Sequence, residues 1–291
     1  MENRISHRKA FLRMASERYF WKPLAAFYTT FELEALSRIW KDRTLKRPVL
    51  DLGCGDGSYE SLILRMLSFR AVDVGLDKDV RLLRKAVTVN GYRSTVLGWG
   101  ERLPFRREAF GTVLCWKTLD AVQDLDRVLD EMHRVLRRDG YLVATVIVDS
   151  FYRHLWPYRL LHRLGWAGLA SVYEHRMQAR LKSRYRFSRD TWLDWFARKG
   201  FAVEQSAAFF PPRAIGVWSI LALTPFRAFG ALSWIRSPRL GRFLGKLVSL
   251  ALLPWVRGME PTEPEGGMLL VVARKVDRRH SLSDATRATA V

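Results

Sequence analysis

The stretch VLDLGCGDGSY, Val49 to Tyr59, decides how the rest of the chain is read. An apolar run with one acid inside it, Asp51, meets three alternating glycines, Gly53, Gly55 and Gly57. A dinucleotide fingerprint, G-x-G-x-x-G, likewise follows a strand and opens a helix. Here the third glycine comes one residue early and Ser58 stands at the fingerprint's last position, which disfavours a nicotinamide or flavin cofactor.

Outward from this loop, short apolar runs alternate with helix-period segments. PVLDLG reads as a buried strand and SYESLILRMLS as the helix after the glycines. FRAVDVGLD is a second strand, KDVRLLRKAVTVN a helix, STVLGW a third strand and FGTVLCW a fourth. From Gln123 to Arg138, Leu125, Val128, Leu129, Met132, Val135 and Leu136 share one helical stripe, with Asp139-Gly140 as its stop. YLVATVIV is a fifth strand. Ser188 caps a helix that Gly200 closes before a strand at 201–206, and Gly267 to Val276 is the last strand. This alternation predicts an α/β fold, a doubly wound, mostly parallel sheet with helices on both faces. Ligands of such sheets sit at the carboxyl ends of the strands, where the glycine loop falls.

Glycines let backbone N–H groups at a helix start approach a carboxylate or phosphate. A nucleoside also asks for an acid at the end of the next strand, to accept from ribose hydroxyls. Asp77 stands there, with Asp73 before it and Asp79 beyond. The competing reading is a tight strand–helix turn that holds no ligand.

At these residues the chain resembles the class I S-adenosylmethionine-dependent methyltransferases, of the type 11 kind, whose loop is E/D-x-G-x-G-x-G. GLDKD resembles their second motif, and the run from LPFRREAFG to LVATV is similar to their fourth and fifth strands. The likeness covers roughly residues 45–150, with weaker agreement to 208 and at 267–276. It implies a Rossmann-like, seven-stranded sheet and S-adenosyl-L-methionine as cofactor; no metal is expected. It implies that Gly53, Gly55 and Gly57 cradle the methionine portion, that Asp51 lies near its amino group, and that Asp77 binds the ribose hydroxyls. Leu76 and Lys78 would help wall the pocket. Two positions depart from the pattern: Trp99 stands where an acid often meets the adenine, and Gly111 where an aspartate is common. Glu101 or the Gly100 backbone would then contact the adenine, while Trp99 either joins the cofactor site or packs in the core.

The chain has 291 residues, 48% of them hydrophobic, which excludes global disorder. Its two cysteines, Cys54 and Cys115, form neither a disulfide framework nor a metal-ligand spacing, and no export signal is expected. Lys and Arg number 49 against 29 Asp and Glu, a formal +20, which points to an anionic partner. No acid occurs between Glu204 and Glu260, yet Arg213, Arg227, Arg236, Arg239, Arg242, Lys246 and Arg257 do, with Trp218, Trp234 and Trp255. The uncharged runs AIGVWSILALTPF and LVSLALLPWV are too short to span a bilayer, and Pro225 and Pro254 interrupt them. Flanking bases and tryptophans suit helices in an anionic membrane interface. The competing reading buries those helices as a cap on the sheet. Nucleic acid is the less favoured partner, because the bases interleave with aliphatic runs.

The expected organisation is an N-terminal helical lid (1–44), a cofactor-binding core (45–210) with an acceptor-side insertion (151–188), and a basic amphipathic insertion (211–262). A last core strand (263–276) and a disordered tail (277–291) complete it. Tyr19, Trp21 and Tyr28 are lid candidates. Base candidates for the transfer are His154, His175, Asp120 and Asp149, with His162 beside them; Ala121 stands where the family often has histidine. The resulting expectation is a methyltransferase acting, most often on oxygen, on a hydrophobic, lipid-linked or glycolipid acceptor. It would be a cytoplasmic protein held peripherally at the inner membrane face. A soluble natural-product methyltransferase and a non-catalytic protein on the same fold are the alternatives, and the oligomeric state is left open.

Overall fold

A computed structural model describes residues 2–40, 43–66, 71–89, 91–223, 237–260 and 264–277. In chain order the first elements are α1 (Glu2–Arg18), α2 (Pro23–Ile39), β1 (Val49–Leu52), α3 (Ser58–Met66), β2 (Val72–Asp77) and α4 (Val80–Thr88). Then come β3 (Tyr92–Leu97), β4 (Phe110–Trp116), a single 3-10 turn at Leu119–Ala121, α5 (Leu125–Val135) and β5 (Leu136–Ile147). The rest are α6 (Ser150–Arg153), α7 (Trp156–Arg163), α8 (Ala167–Leu181), α9 (Arg189–Arg198), β6 (Phe201–Phe209), α10 (Pro212–Leu221), α11 (Pro238–Val256) and β7 (Met268–Lys275). They form two compact units. Of the described residues, one takes those within 39–148, 182–206 and 269–277; the other takes those within 2–38, 149–181 and 207–268.

The first unit holds a seven-stranded sheet in the order β3-β2-β1-β4-β5-β7-β6. β1 pairs in parallel with β2 on one side and β4 on the other, and β2–β3 and β4–β5 are parallel too. The chain therefore reverses its winding direction at β1, and the crevice beside β1 and β4 is where doubly wound sheets take ligands. β4 is buried along its whole length, because helices cover both faces and every one of its side chains faces protein. Leu50, Val113, Cys115, Val128, Leu129, Met132, Leu142 and Ala144 belong to one core cluster. Ser188 caps α9 by accepting from the Thr191 N–H, as the sequence predicts, and Asp124 caps α5 by accepting from the Arg127 N–H.

The helix expected to run to Arg138 ends three residues earlier. Leu136 is already extended (φ −71, ψ 138) and pairs with Phe110 across a register shift in the β4–β5 ladder. Asp139-Gly140, read as a helix stop, lies inside β5, with Asp139 at φ 56. Leu136 continues the apolar stripe but also serves the sheet, and the Lys275 ammonium donates to its carbonyl. Gly111 explains its own departure from the family pattern: a Cβ there would stand 2.6 Å from the Lys46 carbonyl oxygen, so an aspartate does not fit.

The second unit is helical. α1 packs on α11, and Gly245 permits the approach, since a Cβ there would stand 2.5 Å from the Glu17 Cα. Arg8 pairs with Glu34 at 2.6 Å and also donates to the Val256 and Met259 carbonyls, tying α1 to α2 and to the end of α11. Phe27, Phe31, Phe151 and Phe210 form an aromatic centre. Tyr28, expected in a lid, packs against Phe209 and Phe210, and Tyr19 is buried. Pro254 was expected to interrupt its run, but it sits in the last turn of a continuous 19-residue helix. Pro225, Arg227, Trp234 and Arg236 lie outside the described residues, as does the tail from 278.

Candidate functional site

The loop between β1 and α3 is shaped by its glycines. Gly53, Gly55 and Gly57 all take positive φ (76°, 59° and 71°), a region costly for other residues. The loop's N–H groups are largely spent on the protein itself. Gly53 and Cys54 donate to the Leu76 carbonyl at 2.8 and 3.0 Å, and Gly57 donates to the Cys54 carbonyl at 3.1 Å. Gly55 donates to the Asp77 carboxylate at 2.9 Å, and Ser58 to the Asp56 carboxylate at 3.0 Å. The second Asp77 oxygen accepts from the Asp79 N–H at 2.8 Å. A carboxylate has about four lone-pair positions, so Asp77 keeps capacity for ribose hydroxyls while holding the loop.

Beneath the loop lies a pair of buried acids. Asp51, in β1, accepts from the Tyr92 hydroxyl at 2.7 Å with one oxygen, while its other oxygen is buried without a partner. Glu60, in the first turn of α3, accepts from the Trp116 indole N–H at 3.2 Å, and its second oxygen is likewise unpartnered. Burial, opposed by the Tyr92 hydrogen bond and aided by the nearby Asp77 charge, pushes Asp51 up to about 7. Burial and the Asp51 charge hold Glu60 well above the ordinary carboxylate range. Two buried carboxylates, each with one unpartnered oxygen, beside a third acid repel a phosphate and call for a cation. That donor set fits the ammonium and sulfonium of S-adenosylmethionine, and it opposes a dinucleotide's pyrophosphate.

The remaining predicted positions fall as follows. Leu76 is buried at the end of β2, and Lys78 beside it is exposed. Trp99 is 58% exposed, which rules out the core-packing reading; it bridges to Arg102 in a small loop with Gly100. The Glu101 carboxylate accepts from the Gln123 N–H at 3.2 Å. Asp120 is buried in the turn after β4, with one unpartnered oxygen, and burial lifts it to about 6. This turn adjoins the glycine loop, because a Cβ on Gly53 would collide with the Thr118 side chain. Asp149, His154 and His175 belong to the helical unit. Asp149 pairs with Arg153 at 3.0 Å, and exposed His175 contacts the Ser171 carbonyl at 2.8 Å. His154 is half-buried, and desolvation lowers its pKa.

Sequence reasoning missed Glu60, Tyr92 and Trp116. Glu60 carried a signal: it lies three residues before Ile63 and four before Leu64, on the stripe that α3 buries. Tyr92 carried none, since only the β2–β3 pairing brings it under the loop.

Residues 50–144 match the family model described as a methyltransferase domain. Malonyl-[acyl-carrier protein] O-methyltransferase of Legionella pneumophila is 30% identical over 112 residues, 38% of this chain and 39% of that protein. Phthiotriol/phenolphthiotriol dimycocerosates methyltransferase 1 of Mycobacterium ulcerans is 34% identical over 105 residues, 35% and 38% of the two chains. The chain thus spans about two-fifths of the length of these curated relatives. Geranyl diphosphate C-methyltransferase of Streptomyces coelicolor A3(2), solved with S-adenosyl-L-homocysteine, shares the fold at 15% identity. Its TM-score is 0.53 over 87% of this chain and 79% of that one.

Proposed function

We propose that this chain, which carries a class I S-adenosylmethionine-dependent methyltransferase domain over residues 50–144, methylates a hydrophobic, lipid-linked acceptor, on oxygen, at the cytoplasmic face of the membrane. The observation that carries the cofactor half is the buried Asp51–Glu60 pair beneath the glycine loop, each acid with one unpartnered oxygen. When bound, S-adenosylmethionine supplies a methyl group on a positively charged sulfur. Asp51 and Glu60 hold the positive charge, the loop glycines admit the methionyl chain, and Asp77 takes the ribose hydroxyls. Trp99, Gly100 and Glu101 line the adenine end, with Lys78 beside the ribose. Such an in-line transfer needs alignment and exclusion of water, and a hydroxyl acceptor must also lose its proton. Asp120 is the base this reading favours: it is ionised above about pH 6 and has one oxygen free to take that proton.

The acceptor half rests on two supports. One relative is named for a malonyl-[acyl-carrier protein] and the other for phthiotriol and phenolphthiotriol dimycocerosates, which is compatible with a lipid-like acceptor. The helical unit, in addition, exposes large apolar side chains among bases, including Leu164, Trp166, Leu169 and Leu250. No described helix is long and apolar enough to cross a membrane, so the contact would be peripheral.

Calorimetric titration of S-adenosylmethionine into the wild type and Asp77→Ala tests the cofactor. The wild type should bind, and the substitution should weaken binding by about 1–3 kcal/mol, the scale of lost buried hydrogen bonds. A wild type that takes up no S-adenosylmethionine refutes the reading. Methyl-labelled cofactor with a membrane lipid extract then tests the acceptor, where label confined to the aqueous phase counts against a lipid.

A further inference from the structure

The two faces of α11 differ in a way that its packing does not explain. Gly241, Gly245, Val248, Leu252 and Val256 recur at helical spacing and are buried, with Gly241 over the Phe20 ring and Gly245 against the α1 backbone. That face completes the helix's role in its own unit. Leu240, Phe243, Leu247 and Leu250, spaced three, four and three residues apart, share the opposite face and are exposed, Phe243 by 57% and Leu250 by 62%. Arg239, Arg242 and Lys246 are exposed along one flank of that stripe, and no acid occurs anywhere in α11. A surface helix of a soluble protein is polar on its outward face; one that is apolar on both faces has a second medium to meet.

We infer that the outer face of α11 is a docking surface for an anionic lipid bilayer, with Leu240, Phe243, Leu247 and Leu250 entering the interface and Arg239, Arg242 and Lys246 reaching the phosphates. Charge complementarity selects this occupant. A neutral protein groove would leave three adjacent cations without partners, whereas an anionic surface meets them while the apolar stripe enters the acyl boundary. Long basic side chains suit this place, because their stems lie along apolar surface while the charge stays in the headgroups. The helix docks and does not span: no described helix is apolar enough to cross. The inference deepens the proposed lipid-linked acceptor and rests on it for its purpose, but vesicle binding requires no methyl transfer and cofactor titration requires no vesicle. Each therefore fails separately.

The test is co-sedimentation of the full chain with vesicles of phosphatidylglycerol and phosphatidylcholine, and with phosphatidylcholine alone. The wild type should bind the anionic vesicles, and more weakly as salt rises. Arg239→Gln/Arg242→Gln/Lys246→Gln should lose about fivefold per base, on the order of a hundredfold together. Phe243→Ser/Leu250→Ser should lose about tenfold or more, and that loss should persist at high salt. Urea unfolding and S-adenosylmethionine titration of each variant verify that it is folded. Should one variant fail to fold, the other and the wild-type salt and lipid dependence still decide. A wild type that binds the cofactor yet stays in the supernatant overturns the inference, as does a triple variant that sediments like the wild type. A dimer that Phe243→Ser/Leu250→Ser splits would assign the face to a second copy instead. Tighter binding to mixed-sequence RNA than to vesicles, lost in the triple variant, would likewise overturn the lipid assignment.

Discussion

Replacing Glu60 with glutamine should stabilise the cofactor-free protein above neutral pH and flatten its dependence on pH. Asp51 is lifted from 3.8 to about 7, by burial and the Asp77 charge against the Tyr92 hydrogen bond, and Glu60 is also raised, by burial and the Asp51 charge. A carboxyl raised on folding binds its proton more tightly in the native state, so the native chain holds more protons than the unfolded one. Stability then falls as pH rises from the ordinary carboxylate range through about 7, by ~1.4 kcal/mol per pH unit for each extra proton held. For Asp51 alone the full loss is on the order of 4 kcal/mol. Glutamine keeps the shape of Glu60 but removes its proton linkage and the like charge beside Asp51. The variant should lie within ~1 kcal/mol of the wild type near pH 5, where both carry a neutral side chain, and should exceed it by about 1–3 kcal/mol at pH 8. Urea unfolding of the cofactor-free proteins at several pH values between these limits measures both. Saturating S-adenosylmethionine should flatten the wild-type curve as well, because its positive charge replaces the bound protons. Parallel curves, or a variant that is the less stable protein at pH 8, would refute the argument from paired buried acids.

Gly53→Ala combines a positive φ with a collision at Thr118, so S-adenosylmethionine affinity should fall by more than the ~1–3 kcal/mol expected of Asp77→Ala; calorimetry compares the two. Gly245→Ala pushes a methyl into the α1 backbone and should destabilise the protein by about 1–3 kcal/mol in urea unfolding. With a methyl acceptor in hand, the rate of transfer should fall below about pH 6 as Asp120 takes up its proton, and Asp120→Asn should abolish that acid limb.

The sheet was legible from the sequence because buried parallel strands are short apolar runs, and their spacing left little freedom. FGTVLCW matches β4 residue for residue, and the paired glycine loop and Asp77 fall at adjoining strand ends. The α5–β5 boundary was not legible, since Leu136 satisfies the helical stripe and the strand equally and only its pairing with Phe110 decides. Trp99 was ambiguous for the opposite reason: its burial depends on a loop whose course no local pattern sets. In the candidate site, the glycines and Asp77 declare themselves by spacing. Tyr92 and Trp116 meet Asp51 and Glu60 only through the order of the strands, which brings β3 and β4 to either side of the same loop.

Opposite charges are gathered in different places in one strongly basic chain. The glycine loop of the sheet unit gathers Asp51, Glu60 and Asp77 although the chain carries a formal +20, so the acids there are a local choice against the overall charge. The N–H groups of Gly53, Cys54, Gly55 and Gly57 are turned inward on Leu76, Cys54 and Asp77, which reduces the anion-binding character that a helix start otherwise has. A phosphate-bearing cofactor is disfavoured on both counts, and the acids favour a sulfonium with an amino group. In the helical unit the composition reverses: α11 carries bases, no acid and an outward apolar stripe, the combination on which the proposed anionic-lipid docking rests. A cationic cofactor and an anionic surface do not compete for the same residues. Neutralising the bases of α11 should therefore leave S-adenosylmethionine affinity unchanged, whereas Glu60→Gln should lower that affinity and leave vesicle binding as it was.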